Sequence, residues 1–292
     1  NMQTAKSVGG LNFYDDDFTS TTNGATSNLH WVEKDITSEI YHPETKILDI
    51  NSKTGLYPLH AAISLYYQKV VANDDNHFEA DKVYQDILAN NVYAVAKTPM
   101  AKTITERTLT GYRDYKTNVK YIEDLTDTLK NDIEEGKQKV EEAFNQVKFD
   151  VVIGNPPYQD STSVNNRQGA IYPFFYDIAK EISDKYILIS PARFLFNTGL
   201  TSKEWNKKML SDSHLNVVYY TSDSKDVFPN TEIKGGVVVV YRDKNKDFGA
   251  INDFIPDKDL RKLASHFTKD PANNFSSIMF GGRSDLKFND TF

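Results

Sequence analysis

Asn155, Pro156, Pro157 and Tyr158 form the run whose residue types point most directly to chemistry. They follow Phe149-Asp150-Val151-Val152-Ile153-Gly154, a β-branched stretch that reads as a buried strand. Two adjacent prolines cannot continue a sheet ladder, so the chain must leave the sheet there. An asparagine and a tyrosine are thereby held at the carboxyl end of a strand, where open α/β sheets place their ligands. From average residue usage the tetrapeptide arises by chance in only about one chain in a thousand of this length. Its groups suit transfer of a methyl group to a planar amino nitrogen, whose delocalised lone pair is poorly nucleophilic. The Asn155 side-chain oxygen and the Pro156 carbonyl can accept that nitrogen's two hydrogens and draw its lone pair out of conjugation as the new bond forms. Pro157 stiffens the loop, and Tyr158 offers a flat face on which a base can stack. The competing reading is a rigid strand-ending turn that packs a tyrosine.

The surrounding pattern supplies strands and helices to carry this loop. Residues 46–50, 91–96, 119–122 and 185–190 read as further strands, with 215–220 and 236–241 as a last pair. Helices are expected over 59–71, 171–182 and 205–209. One long helix is expected after the third strand, where Leu125, Leu129, Ile133, Val140, Phe144 and Val147 recur at helical steps. The charges between them, among them Lys130, Glu134, Glu135 and Lys139, read as a solvated face of that helix.

The 155–158 segment resembles the catalytic motif of the S-adenosylmethionine-dependent amino-methyltransferases, chiefly the DNA adenine-N6 methylases of restriction–modification systems. The resemblance covers about residues 36 to 242. It implies an α/β fold: a Rossmann-like, mostly parallel seven-stranded sheet with an antiparallel C-terminal strand and helices on both faces. It also implies S-adenosylmethionine as cofactor and a flipped adenine in DNA as substrate. Asn155, Pro156, Pro157 and Tyr158 become the catalytic residues. Phe228, in the Asp226-Val227-Phe228-Pro229 segment between the last two strands, becomes the second aromatic that sandwiches the base with Tyr158. Related enzymes act on a protein glutamine or an RNA base, and a degenerate domain of this kind would serve as a DNA- or partner-binding module.

The cofactor loop of the family follows its first strand as Asp-x-x-x-Gly-x-Gly. Here Asp49, Asn51, Lys53 and Gly55 span the matching positions, and Lys53 stands where the first glycine belongs. Pro58 suits the first turn of the next helix, whose start favours the cofactor's carboxylate. The acid that ends the second strand in the family is replaced by Ala96, with Lys97 behind it. Asp124, after the third strand, matches the position that contacts the adenine ring, with helix capping as the alternative. Thr37 is the best match to the segment that holds the cofactor's methionine end, and Asn155 adjoins the cofactor as well.

Composition sets limits. The chain has 292 residues, 39% of them hydrophobic, no cysteine and a formal net charge of −7. That suffices for one α/β domain with appendages and excludes disulfides and cysteine metal sites. No stretch approaches a membrane span, nothing resembles a signal peptide, and a cytoplasmic setting is expected. No metal site is expected, and Asp15-Asp16-Asp17 reads as an exposed acidic loop. Residues 159–170, rich in Ser, Asn and Gln, read as a lid or a plain surface loop. An acidic catalytic domain fits DNA work when a separate module grips the duplex. The expected division is therefore an N-terminal extension (1–35), a catalytic domain (36–242) and a tail (243–292). The tail would lead into a target-recognition domain outside this sequence, with a restriction subunit or fused nuclease as further partners.

Overall fold

The computed structural model describes residues 7–12, 30–72, 79–159 and 169–267. The chain divides into two compact units, Asn1–Asn252 and Asp253–Phe292. In the first, β1 (Gly10–Asn12) and β2 (His30–Val32) pair as an antiparallel ribbon, followed by the short helix α1 (Thr37–Ile40). Then come β3 (Ile47–Ser52), α2 (Leu56–Ala72), α3 (Ala80–Asn90), β4 (Val92–Ala96), α4 (Pro99–Thr110) and β5 (Asn118–Tyr121). Next are α5 (Leu125–Asn131), α6 (Ile133–Ala143), β6 (Phe149–Gly154), α7 (Tyr172–Ile182) and β7 (Ser183–Pro191). A 3₁₀ turn (Ala192–Phe196), α8 (Lys203–Ser211), β8 (Leu215–Thr221) and β9 (Val237–Asp243) complete this unit. In the second unit, α9 (Lys258–Phe267) is the described helix, and the Arg261 guanidinium donates to the Ile255 carbonyl.

Seven strands form one sheet in the order β5-β4-β3-β6-β7-β9-β8. All neighbours are parallel except those of β9, which runs antiparallel to both β7 and β8. This is the expected mostly parallel α/β sheet. Every residue of β3, β4 and β9 is buried, as strands covered on both faces require. Each fully buried Val or Ile contributes roughly 1.5–3 kcal/mol, so Ile47, Ile50, Val92, Val95 and the four valines of β9 anchor the sheet. Strand order reverses between β3 and β6. The loops after these two adjacent strands therefore splay apart and open a crevice above their carboxyl ends.

Local chemistry sets the helix ends. Thr98 accepts from Ala101 N at 3.1 Å with Pro99 in the first turn, and Gly111 closes α4 in a left-handed conformation. The long helix expected over 125–147 is two helices. Asp132 adopts an extended conformation and its carboxylate accepts from the backbone N–H groups of Glu134 and Glu135, which starts α6 afresh. The apolar spacing runs on across the break, so periodicity alone does not show it.

Asn91 joins the entries of β3 and β4. Its side-chain amide donates to the carbonyls of Pro43 and Thr45 at 3.1 and 3.0 Å, and its oxygen accepts from Lys69 Nζ at 3.2 Å. Replacing it by alanine takes the amide from the buried Thr45 carbonyl and the half-buried Pro43 carbonyl. Asn91→Ala should cost about 2–3 kcal/mol, read as a lower urea midpoint at unchanged slope. An unaltered midpoint would mean that these bonds hold nothing together.

Candidate active site

Parallel pairing sets Leu48 beside Val152 and Asp49 beside Ile153, which brings the two strand-end loops together. Gly154 lies against Asp49, where a Cβ would stand 3.2 Å from Asp49 Oδ1 and 3.2 Å from Ile50 Cγ2. Beyond it, Asn51 Nδ2 donates to the Asn155 carbonyl at 2.8 Å. The Asp49 carboxylate turns its own loop by accepting from Asn51 N at 3.2 Å.

On one side of this junction is a polar pocket at the ends of β3, β4 and β5. Asn51, Val95, Ala96, Lys97, Ile122 and Asp124 are among its lining, around about 550 Å³ of open space. Asp124 begins α5 with φ 52° and without a side-chain capping bond, so its carboxylate is not spent on the helix. The capping alternative for this residue is therefore not what the geometry shows. Lys53 has a negative φ, so its loop does not require a glycine at that position. Gly55 does need to be glycine, with φ +78° and a Cβ position 3.0 Å from both Thr105 Cα and Thr108 Cβ of α4. The same loop is tied to α4 by Ser52 Oγ to Thr105 Oγ1 (3.0 Å) and by Thr108 Oγ1 donating to the Thr54 carbonyl (2.8 Å).

On the other side, Tyr158, Tyr172, Arg193, Leu200, Glu232 and Lys234 help to line an open cleft of about 940 Å³. Phe228 packs near Tyr158, with ring centroids 6.4 Å apart and planes at 69°. The two expected base-stacking residues are thus brought together, but edge to face. A sandwiched base needs parallel rings roughly 7 Å apart, twice the contact distance of about 3.5 Å, so one ring must turn to admit it. Beneath the cleft, Tyr172, Tyr176, Phe194 and Trp205 pack mostly edge to face as its floor.

Between pocket and cleft lies Asn155. Its Oδ1 is buried and has no hydrogen-bond partner. Burial, with the nearby Tyr57 and Tyr176 phenols, holds the Tyr158 hydroxyl well above its ordinary range against the opposing Asn155 side chain, so it stays protonated. A buried orphan acceptor costs about 1–3 kcal/mol, a cost that a turn serving packing alone need not carry. Asp49 Oδ2 is a second orphan. Burial pushes the Asp49 carboxyl up to about 7, against the Asn51 backbone bond, the Ser52 hydroxyl and the Lys53 charge. Burial and the neighbouring Lys97 ammonium pull the Lys53 pKa down, with Asp49 opposing them.

The Thr37 side chain ties the N-terminal 7–12 segment to α1. Its buried hydroxyl donates to the Val8 carbonyl (2.8 Å) and accepts from Lys34 N (2.7 Å). Ser7 and Val8 of that segment line a small apolar cavity with Tyr57 and Gly154. No feature of the sequence announced this contact, because residues 7–12 are too few to show a period. Arg193 was also missed as a cleft residue. The signal available was its place just past Pro191, at the end of a strand parallel to β6. Of the 159–170 loop, residues 160–168 lie outside the described residues, as do Asp15, Asp16 and Asp17. Tyr158 O accepts from Ile171 N (3.2 Å), and Gln159 bridges Ala170, at the two ends of that loop.

Comparison with known proteins agrees with this geometry. Residues 90–228 match the family model of the Eco57I restriction-modification methylases. The matched span holds Asp124, the 155–158 motif, Arg193 and Phe228, and begins after the Asp49–Gly55 loop. A protein of Mycoplasma pneumoniae described as an uncharacterised adenine-specific methylase is 35% identical over 133 residues, 41% of this chain and 31% of its own length. The chain thus spans about a third of the curated relative it matches. Two restriction-modification enzymes share this fold over part of their length. One is the Type ISP enzyme LlaBIII bound to DNA, with TM-score 0.52 and 13% identity, covering 86% of this chain and 19% of that one. The other is a nuclease-deletion mutant of the Type ISP enzyme LlaGI with a DNA substrate mimic, with TM-score 0.51 and 12% identity, covering 72% of this chain and 21% of that one.

The Asp49 environment has a pH signature. Its folded pKa lies above the ordinary value of 3.8, so folding favours the protonated form. That contribution is fully present below about pH 4 and is lost as pH rises through about 7. Asp49→Asn keeps an acceptor for Asn51 N and has no proton to lose. The melting temperature of wild type minus that of Asp49→Asn should therefore fall between about pH 5 and about pH 7. Parallel curves for the two proteins would show that Asp49 ionises freely.

Proposed function

We propose that this chain transfers a methyl group from S-adenosylmethionine to the N6 amine of a flipped adenine in DNA, within a restriction–modification system. The observation that carries the reading is the buried, unpartnered Asn155 Oδ1, standing where the loops from β3 and β6 meet and beside the tyrosine of the adjoining cleft. The family match over 90–228 supports the same chemistry.

The residues of the polar pocket fit the cofactor in kind. Asp124 and Asn51 offer an acceptor and an amide, and Val95 and Ile122 offer apolar contact. When bound there, S-adenosylmethionine supplies an electrophilic methyl on a cationic sulfur, so no metal is needed. Asn155 Oδ1 and the Pro156 carbonyl accept the two hydrogens of the adenine amine. As the nitrogen becomes tetrahedral its N–H bonds grow more acidic, and these acceptors stabilise that developing charge more than the ground state. Pro156 and Pro157 hold the acceptors without rearrangement. Tyr158 and Phe228 stack on the base that has left the helix, offsetting part of its unstacking cost. DNA partners, a target-recognition domain and a restriction activity belong to this proposal.

A second reading, a methylase-like module that binds but does not transfer, draws on one observation. Lys97 stands beside Lys53 near the pocket where the family carries an acid. Titration calorimetry with S-adenosylmethionine separates the two readings, since the binding module takes up no cofactor with or without DNA.

Asn155→Ala should cut transfer of labelled methyl to DNA more than tenfold. It should leave cofactor affinity nearly unchanged and cost little thermal stability, because the lost oxygen bonds to nothing in the fold and the amide otherwise meets only the Tyr158 hydroxyl. A variant keeping more than a tenth of the wild-type rate would contradict the role given to Asn155.

A further inference from the structure

The Arg193 side chain is fixed in a way that the catalytic motif does not explain. Its stem runs between two glycines of positive φ, Gly199 (+108°) and Gly235 (+89°). A Cβ on Gly235 would stand 2.5 Å from Arg193 Cγ, and one on Gly199 would stand 3.2 Å from Arg193 Cβ and 3.6 Å from Nε. Any side chain at either position would press on the arginine. The backbone around it is pinned as well. The Arg193 carbonyl accepts from Thr198 N and Thr198 Oγ1, both at 3.1 Å, and Ala192 N donates to the Gly236 carbonyl at 3.0 Å. Two loops from distant parts of the sequence are thus locked around one arginine.

The guanidinium at the end of this stem faces the cleft that Tyr158 lines, close enough to Tyr172 for its charge to act on that phenol. Among the described residues it makes no ion pair or hydrogen bond, although arginine forks usually find a carboxylate. Lys234 adds a second cation to the lining, one residue before Gly235. With Glu232 as the anion in the same lining, the cleft that ends in the base-stacking tyrosine carries an excess of one positive charge on a chain of net charge −7. A preordered planar fork with five donors suits an oxyanion bound through two oxygens, and of these the phosphodiester is the one that accompanies a base.

We propose that Arg193 binds the phosphodiester flanking the flipped nucleotide, with Lys234 as a second contact, and so fixes how deeply the base enters. The inference rests on the DNA-methylase reading for the identity of its ligand. A base seated on Tyr158 carries its sugar and phosphate back through this cleft. Because phosphates carry no sequence information, the contact positions the nucleotide and leaves choice of site to other elements.

The test uses the full chain and a fluorescein-labelled single-stranded deoxyoligonucleotide, with affinity read by anisotropy over a range of salt concentrations. Arg193→Met keeps the clamped stem and loses the charge, and Arg193→Lys keeps the charge and loses the fork. Arg193→Met should weaken binding about tenfold and lower the slope of log affinity against log salt by about 0.7, one single-strand phosphate contact. Arg193→Lys should keep the slope and lose part of the affinity. A merely structural arginine would give wild-type slopes for both variants, and that result overturns the proposal. Labelled methyl transfer by the wild type is measured alongside. A charge-dependent slope without methyl transfer keeps the phosphate contact and sinks the methylase reading. Methyl transfer with unchanged slopes does the reverse.

Discussion

The hydrogen bond from Asn51 Nδ2 to the Asn155 carbonyl is the joint on which this site depends. It spans the two loops that leave adjacent parallel strands in opposite directions. It forms only if the strands keep their register, if Gly154 presents no side chain to Asp49, and if Asp49 bends its loop toward β6. Each condition is met by a different residue, and each acts on the relative height of the two loops. The polar pocket and the cleft cannot drift apart without breaking this bond. The proposed in-line transfer would demand such rigidity, since an ångström of misplacement costs orders of magnitude in rate.

Electrostatics are handled locally. On the exposed face of α6, Glu134 and Glu135 pair with Lys137 and Lys139. Lys97, with Lys53 beside it, stands at the pocket that Asp124 and Asp127 also line, and Arg193 and Lys234 stand with Glu232 at the cleft. Asp49 avoids a conflicting charge in the interior by holding its proton near neutrality.

The sheet and the motif were legible because buried strands are written in contiguous β-branched residues and because paired prolines have few uses. Strand positions agree with the sequence reading to within a few residues at each end. The helix break at Asp132 was not legible, since one capping carboxylate leaves the apolar period intact. Residues 80–90 carried no helix expectation, and their buried stripe is only Ile87 and Leu88. Thr37 matched a family position by sequence but spends its hydroxyl on Val8 and Lys34, a choice made by a segment nearly thirty residues upstream. Arg193 acquires its setting only when Gly199 and Gly235 meet around it, a long-range event that no local pattern encodes.

Strand β9 is the sheet's one reversal, and its direction has a further effect. Because β8 runs parallel to β7 and β9 returns between them, the connection from Thr221 to Val237 emerges on the same side as the parallel strands' carboxyl ends. That connection carries Phe228, Lys234 and Gly235 and contains no crossover helix. It is a hairpin tip, and a hairpin tip can lengthen or shorten at small entropic cost while its strands stay paired. The polar pocket is built from loops that the helices fix, whereas part of the cleft lining hangs on a connection that can change length. A fold built this way can alter one wall of its cleft by editing that loop while Asn155 and its strand stay in place.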